Sequence, residues 1–287
     1  MRSNKKRKKS KKPVTMMNTN EKNSTSTSSS ILGSKVSKRK VISRLHTIMK
    51  DIDKVKQEPT VSQEEKKMKV QQLELKIEEL GGLNAYQQSS LLGEHLHGNI
   101  NTSKWVLQKL KESNVRATQG SKLCLLDVGA LQLNYTKHTK WLDAAAKDLN
   151  PQCEGIIQSD FFEFKVGESD AYDIIVLSLV LNFVSSASQR GEMLKRCQKL
   201  CKQDGHIFVV LPRACLDNSR YLDHALFQRM MDSLNFDLVA QHDSKKLSYK
   251  MFRKAERRRG SGEGKASFNK REVKNGKQCN NFCILMR

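Results

Sequence analysis

The spacing of apolar residues changes character near residue 121 of this 287-residue chain. Before that point the period is helical. Ser62-Gln-Glu-Glu65 reads as a capping box, in which the serine hydroxyl accepts an unpaired backbone N–H and the glutamate reaches back. Val70, Leu73, Ile77 and Leu80 follow at 3-4-3 spacing until Gly81-Gly82. This predicts an amphipathic helix over 63–80 whose apolar stripe packs on the domain. Residues 86–112 are irregular at first and periodic from Thr102 onward, which predicts a loop and then another helix.

Beyond residue 121 the apolar residues fall into short runs. LCLLDVG (123–129), YDIIVLSLV (172–180) and HIFVVLP (206–212) are nearly continuous runs ending in glycine, polar residues or proline. They read as strands buried on both faces, hence a parallel sheet covered by helices. The apolar segment 141–146 supplies a second strand and IIQSDFFEF (156–164) a third. In 188–205, Met193, Leu194, Cys197, Leu200 and Cys201 share one helical face, which makes a crossover helix ending near Gly205. Residues 217–234 are predicted as a helix capped by Asp217 or Asn218, and NFDLVAQHD (235–243) as a sixth strand. NFCILM (281–286) is the expected last strand. Residues 245–277 hold thirteen basic residues against three acidic ones, and read as a basic insertion before that strand.

Charge changes the picture at the other end. Eight of the first twelve residues are basic, and Ser/Thr/Asn-rich sequence to Ser30 offers little to bury. The expected organisation is a disordered basic tail over 1–60, a helical segment over 61–118, and one enzyme-sized domain over 119–287. A net charge of +22 attracts polyanions through counterion release, so RNA or DNA is the leading partner. The terminal block, with SKRK at 37–40, suits a nuclear or nucleolar address, an RNA contact, or simply a solvated charge run. No apolar run is long enough for a spanning helix, and no signal-peptide core follows the basic start, so a soluble intracellular protein is expected. The seven cysteines are odd in number and lie mostly in apolar segments, which fits reduced, packed thiols. The pairs Cys197/Cys201 and Cys279/Cys283 lack usual metal spacing, and His95 and His97 read as exposed, so no metal is expected.

In an open parallel sheet, ligands bind beyond the carboxyl ends of the strands, where strand order reverses. The first run ends Asp127-Val128-Gly129-Ala130, and Gly129 permits a turn and a close backbone approach. A full G-x-G-x-x-G is absent, because Leu131 stands at the second glycine position. Asp148 lies 19 residues beyond Gly129, the offset of a ribose-binding acid, and Asp143, at 14, is the competitor. Asp160 has the position of an acid at the end of the third strand, within reach of an adenine amine. Phe161 and Phe162 stack on that ring or fill the core. No P-loop, nucleophile elbow or H-E-x-x-H occurs.

Several stretches together resemble one family: YQQSS, GNINTSKWV, LLDVGAL, KDLNPQ, QSDFFEF, LSLVLNFV with QRGEML, DGHIFVVLPRACLDNSRY, KLSYKMFRK and NNFCIL, spread over roughly 80–287. These are similar to the fungal 25S ribosomal RNA adenine-N1 methyltransferases, a branch of the class I S-adenosylmethionine enzymes. The resemblance implies an α/β fold, a Rossmann-like seven-stranded sheet with an N-terminal helical extension. It implies S-adenosyl-L-methionine as cofactor, contacted by Gly129, Asp148 and Asp160, with Asp127 suited to the acid before the glycine. It further implies action on large-subunit rRNA or a pre-ribosomal particle, in the nucleolus of the nucleus; a monomer is expected. No catalytic residue is assigned. For the acceptor pocket the strand ends offer Asn182, Phe183, Pro212, Asn218, Arg220 and Tyr221, with Tyr221 stacking on the base and Asn218 bonding its edge. The missing N-P-P-[YF] favours a ring nitrogen over an exocyclic amine as acceptor. The rival readings are a non-catalytic S-adenosylmethionine sensor or assembly scaffold, and a nicotinamide oxidoreductase, against which the lone glycine argues.

Overall fold

The computed structural model describes residues 44–82 except 46, 50, 53 and 57, and then 102–116, 120–163, 172–256 and 267–287. His95, His97, the first twelve residues and the loop before Thr102 lie outside the described residues. Beyond residue 62 the helices among the described residues are α1 (Gln63–Glu79), α2 (Thr102–Glu112), α3 (Ala187–Leu200), α4 (Ala214–Asp217) and α5 (His224–Ser233). The strands are β1 (Leu123–Val128), β2 (Leu142–Asp148), β3 (Ile157–Gln158), β4 (Tyr172–Ser178), β5 (Cys201–Pro212), β6 (Phe236–Asp243) and β7 (Leu247–Lys254). They form one seven-stranded sheet in the order β3-β2-β1-β4-β5-β7-β6. The first five strands are parallel, and β7 runs antiparallel to both β5 and β6.

Helices cover both faces. Val106 and Leu110 of α2 pack on Leu125, Ile174, Val176 and Phe208. On the opposite face Met193, Leu194 and Cys197 of α3, with Phe227 and Met230 of α5, pack on Leu126, Ile175, Ile207 and Val209. The near-continuous apolar runs of β1, β4 and β5 are therefore those of strands enclosed on two sides. The edge at β2 and β3 is barer, with a three-residue 3-10 turn between β1 and β2 and Ile157 exposed.

Five expectations are corrected. The last strand is Leu247–Lys254, inside the segment expected as a basic insertion over 245–277. Its charges are absorbed locally: buried Lys250 donates to Oε1 of Gln241, and Lys254 Nζ donates to the carbonyls of Gln198 and Cys201. NFCILM at 281–286 joins no sheet and pairs only through an isolated bridge from Met286 to Phe268. The crossover helix stops at Leu200, so Cys201 begins β5 instead of continuing the helix to Gly205. The helix expected over 217–234 is two helices, and Asp223, not Asp217 or Asn218, caps the longer one by accepting from Leu226 N–H at 2.6 Å. Finally, the tail is not without structure to residue 60, because the described residues from 44 to 56 are helical and bury Leu45 and Ile52.

The capping box forms at α1, where Ser62 Oγ accepts from Glu65 N–H at 3.2 Å. The expected packing of its stripe does not follow. The helix buries none of its residues, and Met68 and Leu75 stay exposed. A stripe of about one apolar residue per turn is narrower than a helix docked on a core carries.

Candidate active site

Strand order reverses between β1 and β4, so the crevice opens beyond Val128 and Ser178. The chain leaves β1 through Gly129 at φ +70°, a left-handed conformation that a side chain strains. A Cβ at this position would stand 2.6 Å from Cγ2 of Val180, in the turn that follows β4. Gly129 and Ala130 N–H both donate to the carbonyl of Lys147, at 2.8 and 3.2 Å. That pins the loop beside the end of β2, where Asp148 is the final residue.

Asn150 N–H donates to Oδ1 of Asp148 at 2.7 Å, which fixes the carboxylate at the strand end. Asp143, the competing ribose acid, pairs in register with Cys124 at the opposite, amino-terminal half of β2 and points into solvent. It is too far down the strand to meet a ligand in the crevice. Asp160 follows β3, its Oδ1 accepting from Phe162 N–H at 2.8 Å. An open cleft of about 480 Å³ lies here, lined by Leu149, Gln158, Ser159, Asp160 and Glu163. The structure thus gathers Gly129, Asp148 and Asp160 at one end of the sheet. Phe161 and Phe162 meet edge to face at 6.1 Å and pack against the main core, so they are core residues. The Arg196 guanidinium also sits over the Phe161 ring at 6.0 Å.

Asp127, two residues before Gly129, is buried, and burial pushes its carboxyl from the usual 3.8 up to about 7. The phenol of buried Tyr135 is raised as well, by burial first and then by the charge of Asp127. A buried carboxyl whose pKa burial raises this far is the type of group that marks a ligand site.

On the acceptor side, Asn218 and Arg220 do not face a ligand. Asn218 Nδ2 donates to Gln278 O at 2.8 Å, and Arg220 donates to Oδ1 of Asn281 and the carbonyl of Gly276. The ring of Tyr221 is covered by Lys270 Nζ at 4.4 Å from its centroid. These residues hold the C-terminal segment instead of reading a base. An aromatic group missed in the sequence lies near the carboxyl ends of β4 and β5: Trp105 of α2 packs on Tyr249 at 5.3 Å and edge-on to Phe208 at 5.7 Å. It belongs to the cluster of Val210, Leu247, Tyr249 and Leu179. The helical period of α2 predicted a buried face, but nothing in one strand's sequence says which neighbour it will meet.

A sheet in this order with an antiparallel seventh strand, and an acid-x-glycine turn leaving the first strand, defines the class I S-adenosylmethionine-dependent methyltransferase fold. The profile of the family described as 25S rRNA (adenine(2142)-N(1))-methyltransferase, Bmt2, matches residues 71–284, and the chain belongs to that family. It is 34% identical over 215 residues to the 25S rRNA (adenine(2142)-N(1))-methyltransferase of Saccharomyces cerevisiae, covering 73% of this chain and 61% of that protein. It is 29% identical over 198 residues to the 25S rRNA adenine-N(1) methyltransferase of Schizosaccharomyces pombe, covering 64% of this chain and 70% of that protein. The match therefore spans less than two thirds of the budding-yeast relative. Among solved structures, an S-adenosylmethionine-dependent methyltransferase from Clostridium acetobutylicum ATCC 824 is similar at 10% identity, with 59% of this chain and 98% of that chain covered and a TM-score of 0.46. The N-methyltransferase NodS from Bradyrhizobium japonicum WM9, in complex with S-adenosyl-l-homocysteine, is similar at 14% identity, with 54% and 87% covered and a TM-score of 0.40.

S-adenosylmethionine fits the residues present. The crevice beside Gly129 is one that a Cβ would fill. An acid ends β2, and Leu149 beside it is exposed where it lines the cleft. The apolar surface of Leu149 suits one face of an adenine ring, and the acids at the strand ends suit its polar edge and its ribose.

Proposed function

We propose that this chain transfers a methyl group from S-adenosylmethionine to N1 of an adenine in large-subunit ribosomal RNA, within a pre-ribosomal particle in the nucleolus. The observation that carries the reading is the pinned Gly129 turn between Val180 and Asp148, in a chain of this family. The cofactor supplies an electrophilic methyl group when bound. Gly129 lets the main chain approach it without a clash. Asp148 accepts hydrogen bonds from the ribose hydroxyls, and Asp160 accepts one from the adenine amine. Leu149 supplies an apolar wall.

Adenine N1 carries a lone pair and no proton, so no general base has to remove one. The chain's contribution is alignment and exclusion of water. Because N1 lies on the pairing edge, a paired target must be opened into the pocket. Lys245 and Lys246, in the turn between β6 and β7, stand on the same side of the sheet as the crevice and suit the RNA backbone.

A map of N1-methyladenine in large-subunit rRNA, read by reverse-transcriptase stops in cells with and without the gene, tests the reading. Loss of one stop, restored by the wild-type gene and not by Gly129→Arg, is the expected result. An unchanged map from a protein that still binds the cofactor would favour a sensor or an assembly scaffold. A second expectation concerns the ribose acid. Asp148→Ala weakens binding of S-adenosylhomocysteine by about 1–3 kcal/mol through lost charge-assisted hydrogen bonds. Unchanged affinity in titration calorimetry would remove Asp148 from the site.

A further inference from the structure

The turn that follows β4 holds an acceptor that no described residue serves. Among the described residues, Oδ1 of Asn182 is shut off from solvent and receives no hydrogen bond. Buried polar atoms are satisfied in the great majority of cases, so an orphan in a well-packed place points to a donor that arrives with a ligand.

The turn around it is held rigidly. Ser178 Oγ donates to Oγ1 of Thr102 at 2.8 Å, and Leu179, at φ +59°, donates its N–H to Val210 O at 2.9 Å. A left-handed leucine is strained and persists only where its surroundings impose it. Phe183 N–H donates to Val180 O at 2.9 Å, while Leu181 is fully buried. On the far side Arg190 donates to the carbonyls of Val184 and Ser185, at 2.8 and 3.0 Å. Asn182 is therefore fixed two residues from Val180, whose methyl would meet any side chain at Gly129. The orphan acceptor stands in the same tight turn as the wall of the cofactor crevice.

We infer that Asn182 is a specificity-determining residue, its side-chain carbonyl accepting a hydrogen bond from the six-amino group of the target adenine. The inference rests on the methyl-transfer reading above. The six-amino group adjoins N1, so a base placed for attack through N1 brings that donor to the same edge. Guanine and hypoxanthine present a carbonyl at this position, which would oppose Oδ1, and they carry a proton on N1. One acceptor thus selects both the base and the form whose N1 lone pair is available. Discrimination by a buried polar group left unpaired with the wrong substrate is large compared with discrimination by size.

The test uses the full chain and two synthetic RNAs spanning the adenine that the cellular map identifies. One carries adenine and the other carries purine, which lacks the six-amino group and keeps the N1 lone pair. Wild-type protein is expected to prefer adenine in kcat/KM by roughly 10- to 100-fold. Asn182→Ala is expected to lose rate on adenine by about that factor while its rate on purine stays within about twofold, so that the two RNAs converge. Affinity for S-adenosylhomocysteine and the thermal midpoint should change little, since among the described residues the side-chain oxygen removed has no hydrogen-bond partner. A wild-type enzyme indifferent to the amino group overturns the proposal. So does an Asn182→Ala enzyme that loses equally on both RNAs. Weakened cofactor binding in the variant would assign the amide to the cofactor and overturn it too. A wild-type protein that methylates neither RNA defeats the underlying reading, which is a different failure.

Discussion

Gly191→Ala is expected to destabilise the protein by about 3 kcal/mol, at the upper end for overpacking, which corresponds to a thermal midpoint lower by roughly 6–12 °C. A Cβ on this residue of α3 would stand 1.8 Å from the carbonyl oxygen of Leu285. That oxygen belongs to main chain already bonded to the helix, since Leu285 N–H donates to Ala187 O at 2.9 Å. Neither partner can move without breaking that contact. Arg190, the preceding residue, is buried and donates Nη1 to Cys283 O at 2.6 Å, with its guanidinium 4.5 Å from the Phe282 ring centroid. Arg190→Ala leaves three carbonyls without their charged donor, and a loss of about 3 kcal/mol is expected there too. Both changes release the same segment, so the double variant should fall well short of the sum. Full additivity, or an unshifted midpoint for Gly191→Ala, would mean that the C-terminal segment does not fasten to α3 as described.

This fastening explains why the C-terminal segment is no strand although its apolar pattern predicts one. Cys283, Ile284 and Met286 are buried, and a short apolar run at the end of a chain satisfies the pattern of a strand. The pattern reports burial alone and says nothing about which backbone completes the hydrogen bonds. Here a helix face with a glycine in it takes the segment, and the bridge from Ser219 to Asn280 ties it beside the end of β5. Leu247–Lys254 is the converse case. Its three basic residues give it the composition of a solvated loop. The strand nevertheless sits between β5 and β6, with Gln241 and two carbonyls receiving the ammonium groups of Lys250 and Lys254. Charge counts are informative for surfaces and misleading for long side chains whose polar ends escape or pair.

The candidate site was more legible than the packing around it. A glycine leaving the first strand, and acids near the ends of the second and third, are local features at regular offsets, so their order in the chain predicts their meeting at one end of the sheet. The choice between Asp148 and Asp143 follows once β2 is known to end at residue 148. The acceptor side depends on contacts between distant segments. Asn218, Arg220 and Tyr221 looked available because the C-terminal chain that covers them lies some 50–60 residues away. Asn182 is one of several acceptor-side candidates in the sequence, and it separates from the rest only through its surroundings, since among the described residues its carbonyl has no donor.

Affinity for S-adenosylhomocysteine is expected to fall about tenfold for each pH unit below 7, and Asp127 is the reason. Its carboxyl is pushed up to about 7 by burial on β1, so near neutrality half the protein carries it uncharged. We propose that this carboxyl receives the ligand's α-ammonium group, which pairs only with the ionised form, and the fraction ionised falls tenfold per unit below the pKa. Stability should move the other way. The folded state keeps a proton on Asp127 that the unfolded chain, with a carboxyl near 3.8, has released, so this contribution is whole below about pH 4 and lost as pH rises through 7. The full span is about 4 kcal/mol. His206, lowered to about 4 by burial, acts with the opposite sign, destabilising the fold as pH falls below about 6.5. Comparison with Asp127→Asn therefore isolates the carboxyl. The variant should gain stability relative to wild type at pH 8 and little at pH 4.5, and should bind the ligand weakly at every pH. Equal pH dependence of binding in the two proteins, measured by calorimetry from pH 5.5 to 8, would place the titrating group elsewhere.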